Sequence, residues 1–174
     1  MFEKSLQHSA PVSFSERLAN SPAFSDMFRD GMALVEETAG YLDGPGRKEA
    51  KLLDRTAALA YATESMRLTT RLMQLASWLL LHRAVREGEM SLAQANKEKH
   101  KVKFAGGEKL ESHLMELLPE RLQNLIARAN DLQTKVRRFD ATLHNAAQTE
   151  HSPVVSPVSH QLGLLRAAFE QSAH

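Results

Sequence analysis

The sequence predicts an all-α protein, an antiparallel three-helix bundle with a long central helix. Residues 47–87 contain neither glycine nor proline and are rich in Ala, Leu, Met, Arg and Glu, all strong helix formers. Apolar residues recur at spacings of three and four before and after this stretch. Residues 43–46, Asp-Gly-Pro-Gly, form a turn short enough to fold the central helix back on the first.

Changes in composition set the predicted boundaries of a single domain. A flexible N-terminal arm is expected at 1–20, the bundle at 21–148, and a disordered tail at 149–174, where two Ser-Pro steps interrupt any period. Within the bundle, a short helical excursion separates the second and third long helices. The helices are expected at about residues 22–41, 47–87, 92–101, 108–118 and 119–147.

The first long helix should begin at Ser21 and Pro22, an N-cap followed by proline at the first helical position. It carries one apolar stripe, which predicts one buried side. The members of that stripe are Phe24, Met27, Gly31, Leu34, Thr38 and Tyr41.

The last long helix follows Pro119 and also has one apolar seam, with alternating spacings of three and four. We expect it to return antiparallel to the central helix. The seam consists of Leu122, Leu125, Ala129, Leu132, Val136, Phe139 and Leu143.

The central helix carries two apolar stripes on opposite sides, whereas a helix on the surface of a domain has one. Its neighbours are too short to cover both, so we predict a homodimer through the uncovered stripe. We assign the dimer interface to Leu68, Leu72, Leu75 and Leu79. The alternative interface is the stripe of Met66, Met73 and Leu80, and a monomer would result if the excursion folded over the free stripe.

The composition and the motifs exclude several classes of function. The net charge is +1, from 22 basic and 21 acidic side chains, so no global field attracts nucleic acid or anionic lipid. The chain has no cysteine, and its histidines do not fall in an HxxxH or HExxH arrangement. Phosphate-binding glycine motifs are missing too. We therefore expect no enzymatic activity, no metal, no cofactor, no signal peptide and no insertion into a membrane.

Two further segments are candidates for binding partners. Lys97, Lys99, Lys101 and Lys103 form a local basic patch, which supports an alternative hypothesis, a dimeric helical regulator that contacts nucleic acid. In the tail, Leu162, Leu165 and Phe169 form a short apolar pattern that could fold on a partner protein and deliver it.

Three stretches resemble one known family. They are YLDGPGR at Tyr41 to Arg47, LAYATESMRLTTRLMQLASWLLL at Leu59 to Leu81, and REGEMS at Arg86 to Ser91. In these stretches the sequence is similar to the alphaproteobacterial RcdA family, the regulators of CtrA degradation.

That resemblance implies a small helical adaptor without enzymatic activity, which works in the cytoplasm and delivers cargo to the ClpXP protease. In such a system the response regulator CpdR primes the protease, and the adaptor then docks on it. The adaptor passes on cargo directly, or recruits the cyclic-di-GMP receptor PopA, which brings the cell-cycle regulator CtrA. The resemblance also implies self-association and recruitment to a cell pole.

Overall fold

The structure, a computed structural model, confirms the all-α prediction. It describes residues 17–18, 20–99 and 112–151, with side chains as far as residue 146. The predicted arm and tail, apart from the few residues in those ranges, lie outside the part described. The helices are α1 (Pro22–Asp43), α2 (Pro45–Ala50), α3 (Arg55–Arg86), α4 (Leu92–Lys99), α5 (Ser112–Met115) and α6 (Glu120–His151).

Helix α1 begins where its sequence predicts. The Ser21 hydroxyl accepts a hydrogen bond from the backbone N–H of Phe24, and Pro22 occupies the first turn. The predicted stripe, from Phe24 to Tyr41, is the set of residues that α1 buries. The helix ends before Gly44, whose N–H donates to the carbonyl of Tyr41.

The central helix is shorter than predicted, because the helical conformation is interrupted between α2 and α3. Asp54 adopts an extended backbone, and its carboxylate accepts a hydrogen bond from the N–H of Ala57 at 2.8 Å. An aspartate in this position satisfies one of the free N–H groups of a helix start. The prediction of one helix over 47–87 is therefore wrong, and the long helix begins at Arg55.

The direction predicted for the last helix is also wrong. Near the start of α1, the ring of Phe24 lies 6.3 Å from that of Trp78 in α3 and 5.9 Å from that of Phe139 in α6. Near the end of α1, the Arg121 guanidinium of α6 lies 5.2 Å from the ring of Tyr41. Tyr41 also neighbours Tyr61, close to the start of α3.

Helices α3 and α6 therefore both run antiparallel to α1 and parallel to each other. The connection after α3 is long enough to return along the bundle before α6 begins, and α5 contacts α3 on the way. The length of a connection fixes an antiparallel neighbour only when the connection is short, as it is between α1 and α2.

Each of the three long helices contacts the other two, and their apolar stripes meet in one core. All four leucines predicted to form the dimer interface lie in that core, with exposed fractions of 3% or less. That interface assignment is therefore wrong, because one chain already buries these side chains against α1 and α6. They are Leu68, Leu72, Leu75 and Leu79.

Candidate functional site

The second apolar stripe of the central helix lies on the surface. Leu59, Met66, Met73 and Leu80 follow one another at intervals of seven residues, and between 51% and 73% of each remains exposed. Leu52, in the connection before α3, is 87% exposed. An apolar row of this length on the surface of a domain is typical of an interaction surface.

We call this side of the helix the outer face of α3. Between its large side chains it has small or hydroxyl-bearing residues, and the charged residues of this stretch, Glu64, Arg67 and Arg71, are buried or half-buried. The face consists of Leu59, Ala62, Thr63, Met66, Thr69, Thr70, Met73, Ala76, Ser77 and Leu80.

Three hydroxyl groups on this face are satisfied within the helix itself. Thr63, Thr69 and Ser77 each donate to the backbone carbonyl four residues earlier, at 2.8 or 2.9 Å. A partner can therefore cover these hydroxyl groups without leaving their O–H donors unsatisfied. Since small residues also allow helix axes to approach closely, the outer face of α3 is suited to packing against another helix.

The basic patch is less free than the sequence indicates. The Lys99 ammonium lies 2.7 Å and 2.8 Å from the two carboxylate oxygens of Asp140 in α6. Lys97 is exposed, while Lys101 and Lys103 lie outside the described residues. One of the four cations is thus engaged in fastening α4 to the bundle.

The same aspartate organises a buried polar cluster that sequence reasoning missed. The Trp78 indole donates to Asp140 at 3.0 Å, and the Trp78 ring lies 4.1 Å from that of His82. Burial lowers the pKa of His82 to about 4, Lys99 acts in the same direction and Asp140 opposes both. His82 is therefore neutral at physiological pH and belongs to the packing of α3.

The remaining predicted site residues, Leu162, Leu165 and Phe169, lie outside the described residues. Within the described part of the chain, His, Asp and Glu do not cluster in groups able to hold a metal ion. None of the helices described is both long enough and apolar enough to cross a membrane.

Comparison with known proteins places the chain in a family. Residues 15–169 match the family described as "Protein of unknown function (DUF1465)". Curated protein sequences contain no match. Among solved structures, the chain is similar to RcdA from Caulobacter crescentus CB15, with 51% sequence identity and a TM-score of 0.61; the match covers 74% of this chain and 96% of that one. This chain therefore belongs to the RcdA family, which is named for the regulation of CtrA degradation.

Proposed function

We propose that this chain is a non-enzymatic adaptor in regulated proteolysis, which delivers cell-cycle regulators such as CtrA to ClpXP primed by CpdR. Membership of the RcdA family supports the pathway. The observation that carries the adaptor role is the similarity to RcdA, at 51% identity over 96% of that chain. The outer face of α3 adds an exposed apolar surface on a rigid helix, which suits assembly. PopA, with bound cyclic-di-GMP, is the proposed intermediary for CtrA. The proposed location is the cytoplasm, with recruitment to a cell pole.

We further propose that the protein acts as a homodimer through the outer face of α3, the stripe that the sequence offered as the alternative interface. An uncharged face can meet a copy of itself without repulsion, as an isologous interface requires. Burying the exposed parts of Leu59, Met66, Met73 and Leu80 contributes about 1 to 2 kcal/mol for each side chain. Over two copies this is about 8 to 16 kcal/mol, comparable with the roughly 4 to 15 kcal/mol that association costs.

Delivery itself we assign to the tail, through Leu162, Leu165 and Phe169. The tail follows α6, which ends at His151, so it is tethered to one end of the bundle. A short apolar motif on a tether binds with modest affinity and can serve several cargoes. In this proposal the bundle mediates dimerisation and the tail binds the cargo.

A degradation assay tests the function. Purified ClpXP and CpdR are mixed with labelled CtrA, PopA and cyclic-di-GMP, with no addition, with the full chain, or with a chain ending at Glu150. We expect the full chain to accelerate loss of CtrA and the shortened chain not to. Equal acceleration by both chains would reject the tail as the delivery element. No acceleration of CtrA loss by the full chain would reject the adaptor function.

A further inference from the structure

Two cavities lie end to end between α1 and α6, on the surface of the bundle. The larger has a volume of about 410 Å³ and a mainly apolar lining, and the smaller has a volume of about 300 Å³. Asp30 and Lys135 line both cavities, so the two form one continuous groove. We call it the α1–α6 groove. Cavities of this size are typical of binding sites.

The floor of the α1–α6 groove is apolar. Met27 and Phe139 line the larger cavity, and Leu34 and Leu132 line the smaller one. Phe139 is only partly buried, although it packs against the core. An apolar side chain that entered the groove would therefore find apolar contacts along its whole length.

The two rims of the groove differ in charge. Asp26 and Asp30 line it on α1, whereas Lys135 and Arg138 line it on α6, and all four are exposed. Among the described residues, Asp26 and Asp30 share one guanidinium, that of Arg29. The rim on α1 therefore keeps a surplus of negative charge, which can attract a cation.

The tail begins beyond the larger cavity and is long enough to return to it. Helix α6 ends at His151, and Phe139 lies twelve residues earlier, or about 18 Å along the helix. Residues 152–161 connect His151 to Leu162, and ten residues can extend over about 33 Å. The chain can therefore reverse direction after α6 and bring Leu162 to the groove.

The apolar stripe of the tail matches the groove in length. On a helix, the stripe from Leu162 to Phe169 would extend over about 10 Å, as the stretch from Leu132 to Phe139 does on α6. The segment is short and contains Gly163, so it would not be a stable helix alone in water. A helix here needs a surface on which to pack.

A cation in the tail distinguishes the α1–α6 groove from the outer face of α3. Arg166 directly follows Leu165, so it would flank the stripe on a helix. In the groove it can pair with Asp26 or Asp30, whereas the outer face of α3 consists of uncharged residues. The charge of the tail therefore favours the groove, although both surfaces are apolar.

We propose that the tail segment 162–169 docks as a helix in the α1–α6 groove of its own chain, antiparallel to α6. Its apolar stripe lies on the floor, and Arg166 lies against the acidic rim of α1. This inference goes beyond the proposed function, since docking requires neither cargo nor protease. A docked tail covers its own stripe, so a cargo that binds the stripe has to displace it from the groove first.

A spin label on the tail tests the docking by NMR. The chain has no cysteine, so Ser172→Cys provides a single attachment site just after the stripe. In the isotope-labelled full chain, we expect the label to broaden the amide signals of Ala33 and Arg128, which line the smaller cavity. The signals of Thr69 and Met73 on the outer face of α3 should stay sharp. Broadening on the outer face instead, or on neither surface, would overturn the proposal.

A mixture of chains shows whose tail occupies the groove. Isotope-labelled chains without a spin label are mixed with spin-labelled chains without the isotope. Docking within one chain predicts sharp groove signals in this sample. Broadening of those signals would assign the groove to the tail of a second copy, which contradicts the proposal. Both measurements omit the protease, so a failure of the degradation assay would not affect them.

Two adjacent leucines of the tail provide a matched pair of variants. Leu165→Ser removes a member of the stripe, whereas Leu164→Ser removes a side chain that a helix directs away from the groove. Loss of one buried leucine should lower the docking equilibrium constant about tenfold or more in Leu165→Ser. Leu164→Ser should keep the broadening of the natural tail. Equal broadening in the two variants would contradict a helix docked through the stripe.

Two exposed alanines of α1 test the groove itself. Ala33→Lys places a long charged side chain in the smaller cavity, which Ala33 lines, whereas Ala39→Lys makes the same change away from the lining of both cavities. Both variants should fold, because both positions are exposed. We expect Ala33→Lys to reduce the broadening at Arg128 and Ala39→Lys to leave it unchanged. Full broadening in Ala33→Lys would show that the tail docks elsewhere.

Discussion

Substitutions at two positions of α3, only two residues apart, distinguish the proposed dimerisation from folding. Met73 is 66% exposed on the outer face, while Leu75 is 1% exposed in the core. Introducing a glutamate at each position adds the same charge to the same helix. For the proposed dimer through the outer face of α3, we expect Met73→Glu to separate the subunits and leave each chain folded. The burial of Leu75 predicts that Leu75→Glu unfolds the chain.

The expected losses of folding stability follow from how much of each side chain is buried. Removing the Leu75 side chain costs about 2 to 5 kcal/mol, and an unpaired buried carboxylate adds several more. The sum approaches the whole stability of a typical domain, about 5 to 15 kcal/mol. At Met73 the folded monomer loses only its buried third, about 0.5 to 1 kcal/mol.

Met73→Glu should weaken the proposed dimer more than it destabilises the folded monomer. Each copy of Met73→Glu loses about 1 to 2 kcal/mol of apolar burial at the interface and must also desolvate a carboxylate. We therefore expect the dimer dissociation constant to rise about 100-fold or more, which corresponds to about 2.8 kcal/mol or more. Met73→Leu conserves the volume and should leave the dissociation constant nearly unchanged.

Analytical ultracentrifugation gives the mass and the dissociation constant, and circular dichroism with thermal unfolding gives the fold. We expect Met73→Glu to be helical, to unfold cooperatively and to have the mass of a monomer. If Met73→Glu kept the mass of a dimer, or if the natural chain were a monomer, the outer face of α3 would not be the dimer interface. If Leu75→Glu folded normally, the assignment of that stripe to the core would be refuted.

Other substitutions test the interior. Asp140→Asn removes the charge that holds Lys99, so the free energy of unfolding in denaturant should fall by about 1 to 2 kcal/mol; an unchanged value would mean that the pair contributes nothing. The pKa of His82 is lowered from 6.5 to about 4. The linked part of the free energy of unfolding, about 3 kcal/mol, is therefore present in full above pH 6.5 and is lost as the pH falls towards 4. His82→Phe should flatten that part of the stability profile, and a retained slope would contradict the assignment. Gly46→Ala should destabilise by about 1 to 3 kcal/mol, since its Cβ would lie 2.6 Å from a tyrosine hydroxyl, whereas Gly40→Ala has open space and should stabilise by about 0.5 to 1 kcal/mol. Equal effects of the two glycine substitutions on the thermal midpoint would refute that packing.

The buried faces of two helices could be predicted from sequence because each has a single apolar stripe. Every member of the α1 stripe is buried. Along α6 the predicted seam from Leu122 to Leu143 is also buried, with Phe139 partly exposed but packed against the core. A stripe with spacings of three and four places one side chain on each helical turn towards a neighbour, which leaves a single choice of buried side.

The central helix offered two choices, and the periodicity did not distinguish the core from the surface. The two stripes differ in the density of large apolar side chains along the helix. Leu68, Leu72, Leu75 and Leu79 supply a side chain at every turn, as a filled core requires, whereas the outer stripe supplies one large side chain for every two turns. This density was the available signal for the correct assignment.

Other features depend on contacts between distant residues and left no local pattern. The N-cap at Asp54 is the exception, since its carboxylate bonds the N–H of Ala57 three residues later. An aspartate before helix formers was a local signal, but it lay in a stretch without glycine or proline. The bond between Trp78 and Asp140, and the ion pair of Lys99, require the parallel pairing of α3 with α6. That pairing is set by the path of the long connection, which composition and periodicity do not determine.

The packing of α1 and α6 on one side of α3 explains why its outer face is exposed. Helices α1 and α6 both contact α3 and are joined to it by the core stripe around Leu75. Among the described residues, no long helix covers the opposite side of α3, while the backbone of α3 is held by packing along most of its length. A surface held in this way loses little conformational entropy on binding, which favours association with a second copy or another helix. Helix α3 thus combines a fully buried stripe around Leu75 with an exposed apolar row from Leu59 to Leu80.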